Sequence, residues 1–219
     1  MKNKELTILF DLDGTLIDST EAILESFYFA FKDQTFDFDG DDEDIKKHIG
    51  YPLEIMFENL GVEKSDTVKF IESYKKHYRI ISEKKTVLLN EAKEAVLLAS
   101  SFARLGIVTT KTTKYTIPLL ENLGIYGYFE TIIGRQEVVN PKPHPEPILK
   151  ALENMKLEPS NNIFMIGDTK LDLIAANEAN IIGVGVLCGY GKEEDLKQYS
   201  KLIAKSAIDA VTIIQNNFN

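Results

Sequence analysis

Two kinds of hydrophobic pattern divide this chain. An apolar run of strand length, Leu6 to Phe10, stops at Asp11-Leu12-Asp13-Gly14-Thr15. A run of that length ending in a polar turn reads as a buried strand delivering its last residues to a cleft. The pattern then turns helical. Asp18-x-x-Glu21 reads as a capping box, and Ile23, Phe27, Ala30 and Phe31 recur at helical spacing. Gly50, a first-turn Pro52 and Gly61 punctuate two short helices, and Val68, Ile71, Tyr74, Tyr78 and Ile81 mark a longer one. Residues 16–86 therefore read as helical throughout, with no strand pattern.

From Asn90 short apolar runs alternate with helical ones. A helix through Ala92, Ala95, Val96, Ala99 and Ala103 is expected to end at Gly106, where Ile107-Val108 runs into Thr109-Thr110-Lys111. A second helix carries Leu119, Leu120 and Leu123 to Gly124, and Thr131-Ile132-Ile133 makes another short strand. Asn140 to Pro147 is too proline-rich for a central strand and opens a helix through Ile148, Leu149 and Leu152. Ile163 to Ile166 then meets Gly167-Asp168-Thr169-Lys170-Leu171-Asp172, a helix follows, Ile181 to Leu187 is strand-like, and Ser206 to Phe218 closes the chain as an amphipathic helix.

Strands alternating with helices predict an α/β fold: a doubly wound, Rossmann-like parallel sheet, formed by residues 1–15 and 87–219, with residues 16–86 inserted as a small helical domain. Sites in such sheets lie beyond the carboxyl ends of the strands, near a switch in strand order. That rule gathers Asp11, Thr109 and Asp168 on one edge, with the Lys142 loop beside them. The inserted helices leave from the same edge and are expected to cover it.

Composition narrows the function. The 219 residues are 44% hydrophobic and 27% charged, as in ordinary globular proteins. A net charge of −9 argues against nucleic acid or an anionic membrane as the main partner. It also means that an anionic substrate must be captured by local cations. Met1-Lys2-Asn3-Lys4 carries a signal-like charge, but the apolar run behind it is too short for a signal peptide and is broken by Asp11. No apolar segment is of membrane-spanning length, and a reducing cytoplasm fits the single cysteine, Cys188, which reads as a small, partly buried residue near a loop. Asp37 to Asp44 suggests a Ca²⁺ loop, but Asp42 stands where the template needs glycine, so these acids read as a solvated loop favouring the next helix N-terminus. Gly183-x-Gly185 lacks the third glycine of a dinucleotide fingerprint, and three scattered histidines make a histidine metal site improbable.

Asp11 and Asp13 point to the same side if strand geometry persists through the turn. Two close carboxylates need a cation or a shared proton. Such an oxygen-only pair suits Mg²⁺, which keeps sites for water and phosphate oxygens, and makes a phosphoryl group the natural part of a substrate. Each piece alone has a plainer explanation: Asp and Gly as turn formers, Thr109 as a strand end, Lys142 as a solvated loop cation, Asp168 and Asp172 as a helix cap and an exposed helix face. Lys111 reads equally as a solvated lysine or a phosphate contact.

Taken together, Asp11-Leu12-Asp13-Gly14-Thr15-Leu16, Thr109 after an apolar strand, Lys142 between two prolines and Gly167 to Asp172 resemble the haloacid dehalogenase superfamily of phosphatases, in its order and spacing across nearly the whole chain. The helical insertion resembles the cap of the branch containing phosphoglycolate phosphatase, pyrophosphatases and β-phosphoglucomutase. Asp18-Ser19, Ile49 to Leu53, Thr109-x-Lys111 and Gly189-Tyr190-Gly191 are further echoes of that branch. Thr110 stands where the branch usually has Asn, Glu146 where it usually has Asp, and Val87 to Asn90 where it usually has a Pro-Gly turn. These departures bear on the substrate rather than on the chemistry.

The resemblance implies Asp11 as the nucleophile forming an aspartyl-phosphate and Asp13 as the acid and then the base. It implies Mg²⁺ held by Asp11, the Asp13 main-chain carbonyl and Asp168, with Asp172 orienting ligands behind them. Gly14, Thr109, Thr110 and Lys142 are the implied phosphate-binding and charge-balancing residues, and Tyr51, Lys75 and Arg79 are candidate substrate-facing groups of the helical domain. The expected activity is Mg²⁺-dependent hydrolysis of a small phosphorylated metabolite, phosphoglycolate-like in type. A phosphomutase, a pyrophosphatase or a non-catalytic binding protein on the same scaffold are the alternatives, and the chain is expected to be a monomer or homodimer.

Overall fold

The computed structural model describes residues 5–218; Met1-Lys2-Asn3-Lys4, read above for a signal-like charge, lies outside them. The strands are β1 (Leu6–Phe10), β2 (Ile17–Asp18), β3 (Val87–Leu88), β4 (Ala103–Val108), β5 (Thr131–Ile133), β6 (Ile163–Gly167), β7 (Ile182–Val186) and β8 (Ile203–Ala204). Six of them form one parallel sheet in the order β5-β4-β1-β6-β7-β8. The order switches direction at β1, so Asp11 leaves the sheet at the point where an α/β fold opens a crevice. β1 is central and every residue of it is buried, which is why it reads as an unbroken apolar run.

Helices cover both faces. Ile8 and Phe10 pack on one side with α5 (Ala92–Phe102) and α10 (Ala207–Phe218), while Leu9, one residue out of phase, packs on the other with α7 (Glu146–Met155) and α8 (Lys170–Glu178). Between β1 and β4 the chain makes α1 (Thr20–Asp33), α2 (Asp42–Lys46), α3 (Leu53–Asn59) and α4 (Thr67–Ile81). These four enclose a separate aromatic core in which the Phe27 ring lies 4.6 Å from Phe57 and 5.0 Å from Tyr74. Two further helices, α6 (Thr113–Asn122) and α9 (Glu193–Leu196), flank the sheet. No helix among the described residues is long and apolar enough to cross a membrane.

Several local expectations are corrected. Residues 16–86 are not helical throughout: β2 lies within them and pairs antiparallel with β3, just beyond their other end, as a two-stranded ribbon. Ala103 is not helical; α5 stops at Phe102 and β4 starts at once, with Ala103 opposite Leu6. Small apolar residues suit both a buried helix face and a buried strand, and pairing with β1 decides between them. β8 and α9 were without a sequence signal. Pro52 is the N-cap of α3 rather than a first-turn residue. Asp18 and Glu21 make no capping box, because Glu21 reaches Lys85 at 2.5 Å and Asp18 accepts from the Thr20 N–H at 2.9 Å. The acids after Gly40 behave as expected of a helix start, Asp41 and Asp44 forming a reciprocal capping box on α2.

Candidate active site

The site is assembled from the ends of three adjacent strands. Asp11 continues the ladder of β1, its N–H donating to Ile166 O at 2.8 Å, and its carboxylate is buried. Opposite it stands Lys142, which the sequence leaves as a candidate loop cation. Its ammonium is buried and has three partners: Asp11 at 2.8 Å, Asp172 at 2.5 Å and Val108 O at 3.0 Å. A lysine with all three N–H groups engaged is fixed as a point charge between two carboxylates. Burial alone would depress its pKa, but Asp11 and Asp172 outweigh that and hold it above the ordinary lysine range.

Asp168 follows β6. It accepts from the Thr15 hydroxyl at 2.9 Å and from the Tyr190 N–H at 2.8 Å. Gly14, at φ +82°, and Gly189 press so closely on this carboxylate that a Cβ at either position would collide with it. Asp172, on the first turn of α8, folds back to accept from the Thr169 N–H at 3.0 Å and the Thr169 hydroxyl at 2.7 Å. It is thus a helix-start residue and a lysine partner at once. Its burial overturns the exposed helix face that the sequence allowed for it.

Asp11, Asp168 and Asp172 each offer an oxygen within 4.8 Å of the others, and all three are buried. Burial, with the neighbouring Asp172 and Asp13 charges opposing Lys142, lifts the Asp11 carboxyl to about 7, and burial and its carboxylate neighbours push Asp168 well above its ordinary range. Three carboxylates served by one ammonium form a site with surplus negative charge and hard oxygen donors, which fits a divalent cation of the Mg²⁺ type.

The Asp13 carboxylate turns away from that cluster. It accepts a short hydrogen bond from the Ser19 hydroxyl and pairs with Lys111 at 3.1 Å. Lys111, whose side chain is only 9% exposed, also donates to the Tyr78 hydroxyl of α4 at 2.8 Å and is held by its carboxylate and phenol neighbours above the ordinary lysine range despite its burial. Thr109 is buried at the end of β4 and accepts from the Lys111 N–H at 3.1 Å. The Thr110 hydroxyl donates to Gly50 O at 3.1 Å, tying the sheet edge to the helical segment.

Between sheet and helices lies a cleft of about 750 Å³, open mouth included, with Asp11, Asp13, Thr110 and Lys111 on its floor. Tyr51 and Lys75 line it, as anticipated; Arg79 does not, and instead lies over the Tyr115 ring at 5.9 Å. Cys188 donates to Gly14 O at 3.4 Å, and burial with Asp168 nearby pushes its thiol up to about 11, which suits a structural role. Thr15, Tyr78 and Arg135 escaped sequence reasoning. Thr15 had the one available signal, its place inside the Asp-rich turn; Tyr78 and Arg135 reach the site only through tertiary contact.

A doubly wound sheet with a buried carboxylate cluster at the switch point of its central strand is an α/β fold whose site could hold a divalent cation. A model of the family described as haloacid dehalogenase-like hydrolase matches residues 8–186, and the chain belongs to that family. It is 32% identical over 212 residues to phosphoglycolate phosphatase of Colwellia psychrerythraea, covering 91% of each chain. It is 37% identical over 194 residues to pyrophosphatase PpaX of Bacillus velezensis, covering 85% of each. A solved haloacid dehalogenase-like hydrolase from Streptococcus pneumoniae superimposes with a TM-score of 0.86 at 30% identity, over 96% of this chain and 98% of that one.

Proposed function

We propose that this protein hydrolyses small organic phosphomonoesters through a phosphorylated Asp11, with residues 16–86 acting as a cap over a core of residues 1–15 and 87–219. The observation that carries the reading is the buried contact of Asp11 with Lys142 at 2.8 Å, on the floor of a cleft shared by sheet and helices. An Asp11 oxygen attacks phosphorus while the bond to the leaving oxygen breaks, and Asp13 supplies the proton that oxygen needs. Asp13 then takes a proton from the water that attacks the aspartyl-phosphate, releasing phosphate and restoring Asp11. Lys142 balances the charge of Asp11, and Thr109, the Thr110 N–H and the Gly14 turn hold phosphate oxygens.

Asp11, the Asp13 carbonyl and Asp168 would hold Mg²⁺, with Asp172 steadying them; when bound, the ion neutralises carboxylate charge and polarises the phosphoryl group. The cap excludes bulk water and supplies contacts to the leaving group. Two relatives are named pyrophosphatases, so pyrophosphate belongs beside organic esters in any test.

The deciding measurement is phosphate release from a panel of phosphomonoesters and pyrophosphate, with Mg²⁺ and with EDTA. We expect metal-dependent release that Asp11→Asn lowers by roughly 10⁴-fold or more without unfolding the protein. Activity retained by Asp11→Asn would overturn the assignment.

A further inference from the structure

Most polar side chains lining the cleft are already engaged. Lys111 is held by Asp13 and Tyr78, the Thr110 hydroxyl donates to Gly50 O, and Arg135 donates to Val138 O and faces Glu54 at 4.0 Å. Tyr74, on α4, is not. It is 6% exposed, its hydroxyl has no hydrogen-bond partner among the described residues, and that oxygen is not sealed off as Arg135 Nε is. The ring is fixed by its neighbours, with Phe27 at 5.0 Å and Tyr78 stacked on it at 5.5 Å. Burial, with Tyr78 and the Asp13 charge nearby, pushes the phenol well above its ordinary range, so the O–H keeps its proton and can donate. A donor left open in an otherwise buried side chain is costly unless a ligand or water meets it.

Charge in the cleft argues against a second anionic group on the substrate. Glu54 faces Arg135 and Asp13 faces Lys111, so each pair cancels. Lys75 is the lining cation left over, and the phosphoryl dianion alone outweighs it. The wall around Tyr74 is apolar: Ile23, Ile49 and Met56 are buried, and Tyr51, Leu53 and Tyr115 partly so. Such side chains hold a ring by area burial and by edge and face contacts rather than by charge. The cleft of about 750 Å³, open mouth included, has room for a ring beside the phosphoryl group.

We propose that this cleft accepts an uncharged aromatic leaving group, packed on the apolar wall, with a hydrogen-bond acceptor on the ring met by the Tyr74 hydroxyl. This rests on the phosphatase reading above and names the substrate class of that site. Tyr74 selects the alcohol and takes no part in phosphoryl transfer.

The test measures kcat/KM of the Mg²⁺-loaded protein for benzyl phosphate, ethyl phosphate, phosphoglycolate and pyrophosphate, then for the three pyridylmethyl phosphates, in which one ring CH becomes an acceptor nitrogen. The organic esters all release primary alcohols, so their intrinsic chemistry is alike. Benzyl phosphate is expected to exceed ethyl phosphate and phosphoglycolate by roughly ten- to hundredfold, the worth of burying one apolar ring. One pyridylmethyl isomer should exceed the other two by roughly three- to tenfold, the range of one neutral hydrogen bond, and Tyr74→Phe should erase that preference. Tyr74→Phe removes only an unpartnered oxygen, so the variant keeps the packing of its ring. A benzyl-to-ethyl ratio near one, faster turnover of phosphoglycolate or pyrophosphate than of benzyl phosphate, no preference among the isomers, or an isomer order that Tyr74→Phe leaves intact overturns this proposal and leaves the phosphatase reading standing. Phosphate released from none of these compounds overturns both.

Discussion

Burial changes how tightly the Asp11 carboxyl holds its proton. Folding lifts its carboxyl from 3.8 to about 7, so the folded chain holds that proton more tightly than the unfolded chain. Its contribution to stability is therefore favourable at low pH and is lost as pH rises from about 4 to 7. Asp168, raised by the same burial, adds in the same direction. A dication among these carboxylates relieves the penalty where they are ionised. Thermal melts should accordingly show Mg²⁺ raising Tm at pH 7.5 and raising it far less at pH 5; an equal rise at both would show that these carboxylates are not where the ion binds. The residue scale is also where the sequence was most legible. Asp11, Asp13, Lys142, Asp168 and Asp172 all stand at the cleft floor or just beneath it, the acids because each follows a strand end or sits at a helix start that the apolar runs announce, Lys142 because its proline-rich loop runs beside them. Arg135 and Tyr78 carry no such mark.

At the scale of elements, the start of α8 is tied to the buried Lys142. Its start is held by the Asp172 carboxylate reaching back to Thr169, and the same carboxylate anchors Lys142 at 2.5 Å. Thr169→Val keeps the shape and removes the hydroxyl that donates at 2.7 Å. Urea unfolding should show a loss of about 1.5–3 kcal/mol, the usual worth of a hydrogen bond to a charged group, and Thr169→Ser should restore most of it. The elements that sequence patterns misplaced share a cause. β2, β3 and β8 have two residues each, too few to show a period, and exist only because a partner strand lies alongside. The shift at Ala103 has the same origin, since its partner Leu6 is 97 positions away in sequence.

At the scale of the whole molecule the chain has two kinds of core. The aromatic cluster of α1, α3 and α4 includes no sheet residue, and polar contacts join it to the sheet edge: Thr110 to Gly50, Lys111 to Tyr78 and Thr20 to Tyr190. Phe27 sits at its centre, fully buried. Phe27→Ala should cost about 3–5 kcal/mol by cavity formation. Hydrogen exchange should find the loss concentrated in residues 20–81, with the amides of β1, β4 and β6 keeping their protection; uniform loss would mean that the two cores unfold as one.

The sequence by itself determined the alternation of strands and helices, the inserted helical block and the carboxylates at the strand ends, because period, run length and turn chemistry are local properties. Tertiary structure alone decided the short strands, the Lys111–Tyr78 contact over Asp13 and the place of Arg135 in the cleft lining. Those depend on which surfaces meet across the sheet edge, and close approach between distant segments leaves no periodic trace in the chain that makes it.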